Sequence, residues 1–133
     1  MRGARWLIDS LRDKLPFDKS LGQHFLVNDD LIAQAIELGN VSQEDHVLEI
    51  GPGPGVLTEA LLATGCQVTA VEIDSVAVTH LNEAFAPEQQ AEQFTLLEGD
   101  ALEIRWPDTI TKVVANIPYQ LSLIHISEPT RQE

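Results

Sequence analysis

Four stretches of this sequence place hydrogen-bonding groups where together they could hold a small planar ligand. The first is Glu49-Ile50-Gly51-Pro52-Gly53-Pro54-Gly55, an acid followed by three glycines at alternate positions. Glycine has no Cβ and reaches positive φ cheaply, so such a run lets backbone pass close under a ligand. Pro52 and Pro54 stiffen it, because each fixes φ near about −65°. Val56 stands where a dinucleotide-binding turn needs a third small residue, which counts against a nicotinamide dinucleotide. The second stretch, Val68-Thr69-Ala70-Val71-Glu72-Ile73-Asp74, brings an acid 17 residues after Gly55. An acid there is spaced to accept from the two hydroxyls of a ribose. In the third, Glu98-Gly99-Asp100-Ala101, the Asp100 carboxylate either accepts from the exocyclic amine of an adenine or caps the turn that follows it. Ile73 and Ala101 are placed to flank such a ring. The fourth is Asn116-Ile117-Pro118-Tyr119. Its amide oxygen and the Ile117 or Pro118 carbonyl would accept both hydrogens of a planar amine. The Tyr119 ring would stack on the base, an interaction worth roughly 1–3 kcal/mol. Each string alone is also compatible with an ordinary turn or cap; their conjunction points to an adenosine-bearing cofactor beside a flat amine.

The elements that must carry these residues read as alternating strands and helices. Leu31, Ile32, Ala35, Ile36 and Leu38 form an apolar stripe, with Asp29 or Asp30 as a cap and Gly39 as a stop, which predicts a helix. Strands are expected at about 46–50, 67–72, 94–98 and 111–116, and helices at about 55–64 and from an Asp74 cap to Ala84, with Ala77 and Leu81 inward. Pro87 to Glu92 reads as a polar loop. Alternation of this kind implies a parallel sheet with ligands at the carboxyl ends of its strands, here Gly51, Glu72, Asp100 and Asn116. Upstream, Trp6, Leu7, Leu11 and Leu15 suit a short amphipathic helix ended by Pro16, and 17–28 reads as a loop with large apolar residues, fit to lie over a pocket.

With 133 residues, 44% of them hydrophobic and 22% charged, the chain can build one real core and is not of disordered composition. No apolar run is long enough to span a bilayer and no signal-peptide pattern opens the sequence, so a cytoplasmic protein without a membrane partner is expected. The single cysteine, Cys66, excludes an intrachain disulfide and reads as a small buried hydrophobe. Net charge is −13, unfavourable for nucleic acid overall, yet five of the eight basic residues (Arg2, Arg5, Arg12, Lys14 and Lys19) lie in the first 19. That leading segment is either a contact for nucleic acid or a solvated helix face. His46, His80 and His125 fit no metal-ligand spacing, and no metal is expected.

Taken in order, Lys19-Ser20-Leu21-Gly22-Gln23-His24-Phe25-Leu26, the Glu49–Gly55 run, Val71-Glu72-Ile73-Asp74, Glu98-Gly99-Asp100-Ala101 and Asn116-Ile117-Pro118-Tyr119 resemble the ribosomal RNA adenine N6-dimethyltransferases, the KsgA-type enzymes of small-subunit maturation. The resemblance covers about residues 19–122. It implies a class I, Rossmann-like α/β fold with a parallel sheet, S-adenosylmethionine as cofactor, and dimethylation of adenines in small-subunit rRNA. It assigns His24, Leu26, Gly51, Glu72, Asp100 and Asn116 to the cofactor, and Asn116 and Tyr119 to the target adenine as the catalytic pair. It implies in-line displacement at a sulfonium methyl, with positioning supplying as much as about 7–11 kcal/mol in favourable cases, and an adenine that has left its stack. The implied partner is small-subunit rRNA or the pre-ribosomal small subunit, and a full-length member is expected to be a monomer.

The resemblance ends after Ser122, where the family continues with more sheet and a helical C-terminal domain. The expected organisation is therefore a basic arm and cofactor-covering loop over 1–28, a C-terminally truncated methyltransferase domain over 29–122, and an unrelated tail over 123–133. Strand four would then be an unpaired edge, a template for aggregation, and turnover would be weak. A non-catalytic ribosome-assembly module, or an amine methyltransferase with another substrate, remain the alternatives.

Overall fold

The computed structural model of the protein describes residues 29–117 and 120–125, with side chains over 32–115. In chain order the elements are α1 (Asp29–Leu38), β1 (His46–Ile50), α2 (Val56–Ala63), β2 (Gln67–Glu72), α3 (Ser75–Ala84), α4 (Ala86–Gln90), β3 (Phe94–Glu98), β4 (Lys112–Ile117) and β5 (Gln120–His125). The strands form one sheet in the order β3-β2-β1-β4-β5. The first four neighbours run parallel, as their alternation with helices predicts, and β5 runs antiparallel to β4.

The apolar strands separate two faces by simple alternation. Val47, Val68, Ala70, Phe94 and Val114 pack with Ile32 of α1, Leu57 and Leu61 of α2, and Leu81 and Phe85 at α3. Phe85 and Phe94 meet at the middle of this core, ring centroids 5.4 Å apart. On the other face Leu48, Val71 and Val113 pack under the 99–111 segment through Ile104, Trp106 and Ile110. A cavity of about 460 Å³ opens beside that segment, lined by His46, Thr69, Thr95, Leu97, Arg105 and Trp106 among others. Cys66 is fully buried, its thiol directed at the Leu61 carbonyl, and burial pushes its pKa up, as suits a small hydrophobe.

Three expectations are corrected. β4 is not an edge, because β5 lies along all of it, Lys112 opposite His125 and Ile117 opposite Gln120. Only two residues separate these strands, a span that suits an antiparallel neighbour and is far too short for a parallel crossover. Residues 86–90 are helical where a polar loop was expected, since Pro87 falls in the first turn, which asks for no N–H. Leu38, expected inward, is 85% exposed. It lies six residues beyond the buried Ile32, about 120° around the helix, whereas Ile36 returns to the buried side.

Candidate functional site

Register brings the strand ends level. Ile50 stands opposite both Val71 and Ala115, and Glu72 opposite Glu98. One residue further on, Gly51, Glu72, Glu98 and Asn116 therefore lie along a single edge of the sheet, with Asp100 two residues beyond Glu98. Gly51, Glu72, Asp100 and Asn116 are thus brought together, as expected. His24, Leu26 and Tyr119 lie outside the described residues, and Asn116 is described by its backbone alone.

Between β1 and α2 the chain turns on glycine. Gly51, Gly53 and Gly55 take φ of 70°, 57° and 97°, a region that L side chains rarely adopt. The Gly51 N–H continues the ladder to the Val71 carbonyl, the Gly55 N–H closes a turn onto the Pro52 carbonyl, and the Gly55 carbonyl starts α2 by accepting from the Glu59 N–H. At Gly55 a methyl group would lie 2.6 Å from a Phe85 ring carbon.

Glu72 closes β2 and is 7% exposed. One carboxylate oxygen accepts from the Gly53 N–H at 3.1 Å and the other from the Asp74 N–H at 3.1 Å. Each oxygen keeps acceptor capacity beyond these bonds, enough for the two hydroxyls of a diol. Asp74 caps α3 by accepting from the Val76 N–H. Ile73, between the two acids, exposes a large apolar side chain to 70%. At Asp100 the carboxylate accepts from the Leu102 N–H at 2.9 Å, so the turn-capping role is realised. The group is only half-buried and retains oxygen lone pairs for a second partner.

In the sequence Glu49 stands out only as the acid ahead of the glycines. It is fully buried on the helix-covered face, where Thr58 of α2 donates its hydroxyl to Oε1. Oε2 is buried with no hydrogen-bond partner among the described residues. Burial, opposed by the Thr58 bond and assisted by the charge of Glu72, pushes its pKa up to about 7. Sequence reasoning missed His80, whose ring Nε2 lies 2.7 Å from the Pro54 carbonyl. The available signal was a histidine three residues after Ala77 on the inward stripe of α3.

A strand order of β3-β2-β1-β4, a glycine turn after β1 and an acid closing β2 together define the fold of the class I S-adenosylmethionine-dependent methyltransferases. Within that class the chain belongs to the ribosomal RNA adenine dimethylase family, whose model matches residues 15–130. It is 47% identical over 107 residues to a Haloarcula marismortui protein named "Probable ribosomal RNA small subunit methyltransferase A", covering 79% of this chain and 37% of that protein. It is 39% identical over 117 residues to the ribosomal RNA small subunit methyltransferase A of Synechococcus elongatus, covering 81% of this chain and 41% of the relative. The crystal structure of a dimethyladenosine transferase from Plasmodium falciparum superposes with a TM-score of 0.61 at 31% identity, over 72% of this chain and 34% of that one. The chain thus spans about two fifths of the length of these curated relatives.

Proposed function

We propose that this chain carries the cofactor-binding part of an rRNA adenine N6-dimethyltransferase, using S-adenosylmethionine to methylate adenine in small-subunit rRNA during ribosome assembly in the cytoplasm. The observation that carries the reading is the common edge shared by Gly51, Glu72, Asp100 and Asn116. When bound, the cofactor supplies an electrophilic methyl group. The residues present fit it. Glu72, held by two backbone N–H groups, would take the ribose hydroxyls. Asp100 would accept from the adenine amine, with Ile73 and Ala101 flanking the ring. Gly51 would pass its backbone beneath, and His24 and Leu26 would contact the same cofactor, as the resemblance implies. Asn116 and Tyr119 would orient the target amine. With both amine hydrogens accepted, the nitrogen lone pair is held out of the ring and aimed, which is catalysis by positioning.

Calorimetric titration of the 133-residue chain tests this. S-adenosylmethionine should bind and NAD should not. Glu72→Ala should weaken binding by at least about tenfold, because charge-assisted hydrogen bonds contribute roughly 1.5–3 kcal/mol each. Preference for NAD, or indifference to Glu72→Ala, would overturn the cofactor assignment. Methyl transfer to small-subunit particles, measured beside particle binding, separates a weak enzyme from a binding module.

A further inference from the structure

Three consecutive residues of the glycine loop are each held by a side chain from one short stretch of sequence. Glu72 accepts from the Gly53 N–H. The His80 ring meets the Pro54 carbonyl. The Phe85 ring occupies the space a methyl group on Gly55 would need. His80 and Phe85 are 1% and 0% exposed, so both contacts are made away from water. The Pro54 carbonyl and the Gly55 N–H share one rigid peptide plane. A hydrogen bond to that carbonyl therefore holds the plane from its second side, opposite the Gly55 N–H bond to Pro52, in a segment whose glycines otherwise tolerate several rotations. Pro54 has no N–H, so its carbonyl is the one backbone polar group that residue offers to a neighbour.

We propose that His80 is a positioning residue of the cofactor loop: by donating its Nε2–H to the Pro54 carbonyl it locks the peptide plane between Pro54 and Gly55 in the orientation that receives the cofactor. The inference rests on the loop being the cofactor loop. It makes a sharp demand on the histidine. A carbonyl oxygen only accepts, so Nε2 must carry the proton; a neutral ring protonated on Nδ1 alone could not make the bond. His80 touches the loop from behind and acts on the ligand through it.

The test uses the full chain. Nitrogen-15 spectra of the wild-type protein should show a protonated His80 Nε2, and an unprotonated Nε2 overturns the proposal without any variant. In the absence of cofactor, His80→Leu should speed amide exchange at Gly51, Gly53 and Gly55 by about tenfold, the scale expected when one buried hydrogen bond is lost. Exchange in β1 and β2 should stay unchanged. His80→Gln, which keeps an N–H donor, should restore most of the protection. Loop exchange equal to wild type in His80→Leu overturns the proposal, as does protection lost evenly across the sheet. Should His80→Leu fail to fold, the wild-type ring protonation and His80→Gln still decide. The dissociation constant for S-adenosylmethionine should rise about tenfold in His80→Leu and little in His80→Gln. A wild-type chain that binds no S-adenosylmethionine sinks the cofactor reading, while ring protonation and exchange still judge the His80 contact.

Discussion

Glu49 is fully buried, and among the described residues only one of its two carboxylate oxygens has a partner. Its neighbours across the sheet are Ala70 and Val114, which offer no side-chain hydrogen bond. Beside it on the same face stands Glu72, a second acid whose charge opposes ionisation. Desolvation outweighs the Thr58 bond, and the pKa rises to about 7. The sign of the effect on folding follows. Unfolded, the group loses its proton near the ordinary glutamate value of about 4.3. Between that pH and 7 the folded chain binds more protons than the unfolded one, so stability falls as pH rises through this window and levels off above it. The full difference is on the order of 4 kcal/mol. Glu49→Gln removes the titrating group, so urea unfolding at pH 5 and pH 8 should show wild type losing stability that the variant keeps. Parallel pH profiles for the two proteins would contradict this account of Glu49.

At the scale of elements, the β1–α2 turn is where backbone conformation and packing constrain the same residue. Gly55 serves as the N-cap of α2 at φ 97°, and Phe85 fills the space a side chain would need. Gly55→Ala should cost about 2 kcal/mol or more, combining left-handed strain of roughly 1–2 kcal/mol with a steric clash. Phe85→Leu in the same chain relieves the clash and not the strain, so the two substitutions should be non-additive in denaturant unfolding. Strict additivity would show that the ring does not restrict Gly55. The same elements explain which parts of the fold are legible in the sequence. β1 and β2 are apolar runs ended by glycine or acid, the signature of strands buried on both sides, and Asp74 announces α3 by its capping oxygen. Parallel strands bring their carboxyl ends to one edge, so the strand pattern alone is enough to group Gly51, Glu72, Asp100 and Asn116. It is not enough for His80, because its place on the inward stripe of α3 marks it only as buried, while its partner Pro54 lies 26 residues away. β5 escapes a local reading because its pairing with β4 is a property of the assembled sheet. The helical 86–90 turn escapes it because proline and charge read alike in a loop and in a first helical turn.

Across the whole molecule the two ends of the sheet are built for different tasks. The carboxyl ends of the strands carry the glycines and half-committed carboxylates of the site, while the opposite end is closed by a polar clamp. There Lys112 of β4 donates to Asp45 at 2.7 Å and to the Asn40 carbonyl at 3.1 Å, with side-chain exposures of only 6% and 11% for the lysine and the aspartate. Thr111 donates to the other oxygen of Asp45 and accepts from the His46 N–H, and the His46 ring lies between the hydroxyls of Thr69 and Thr109. Burial lowers the pKa of His46, disfavouring the charged ring. For Asp45 burial pulls upward, but the bonds from Lys112, Thr111 and the Ser42 N–H, with the lysine charge, hold the carboxyl below its usual value. Its contribution is therefore present above the ordinary aspartate pKa and is lost as pH falls through the depressed one. Lys112→Met strips the compensating charge from a buried acid and should destabilise the chain by about 3 kcal/mol at pH 6. The gap to wild type should narrow as pH falls, because Asp45 of the variant, without the lysine charge, takes up its proton before that of wild type and so sheds the unpaired buried charge. Added salt should change it little, since buried pairs are weakly screened. Because the clamp and the glycine loop sit at opposite ends of β1, S-adenosylmethionine affinity measured on the folded variant should match wild type. A loss of affinity as large as that of Glu72→Ala would mean the two ends of the sheet are mechanically coupled.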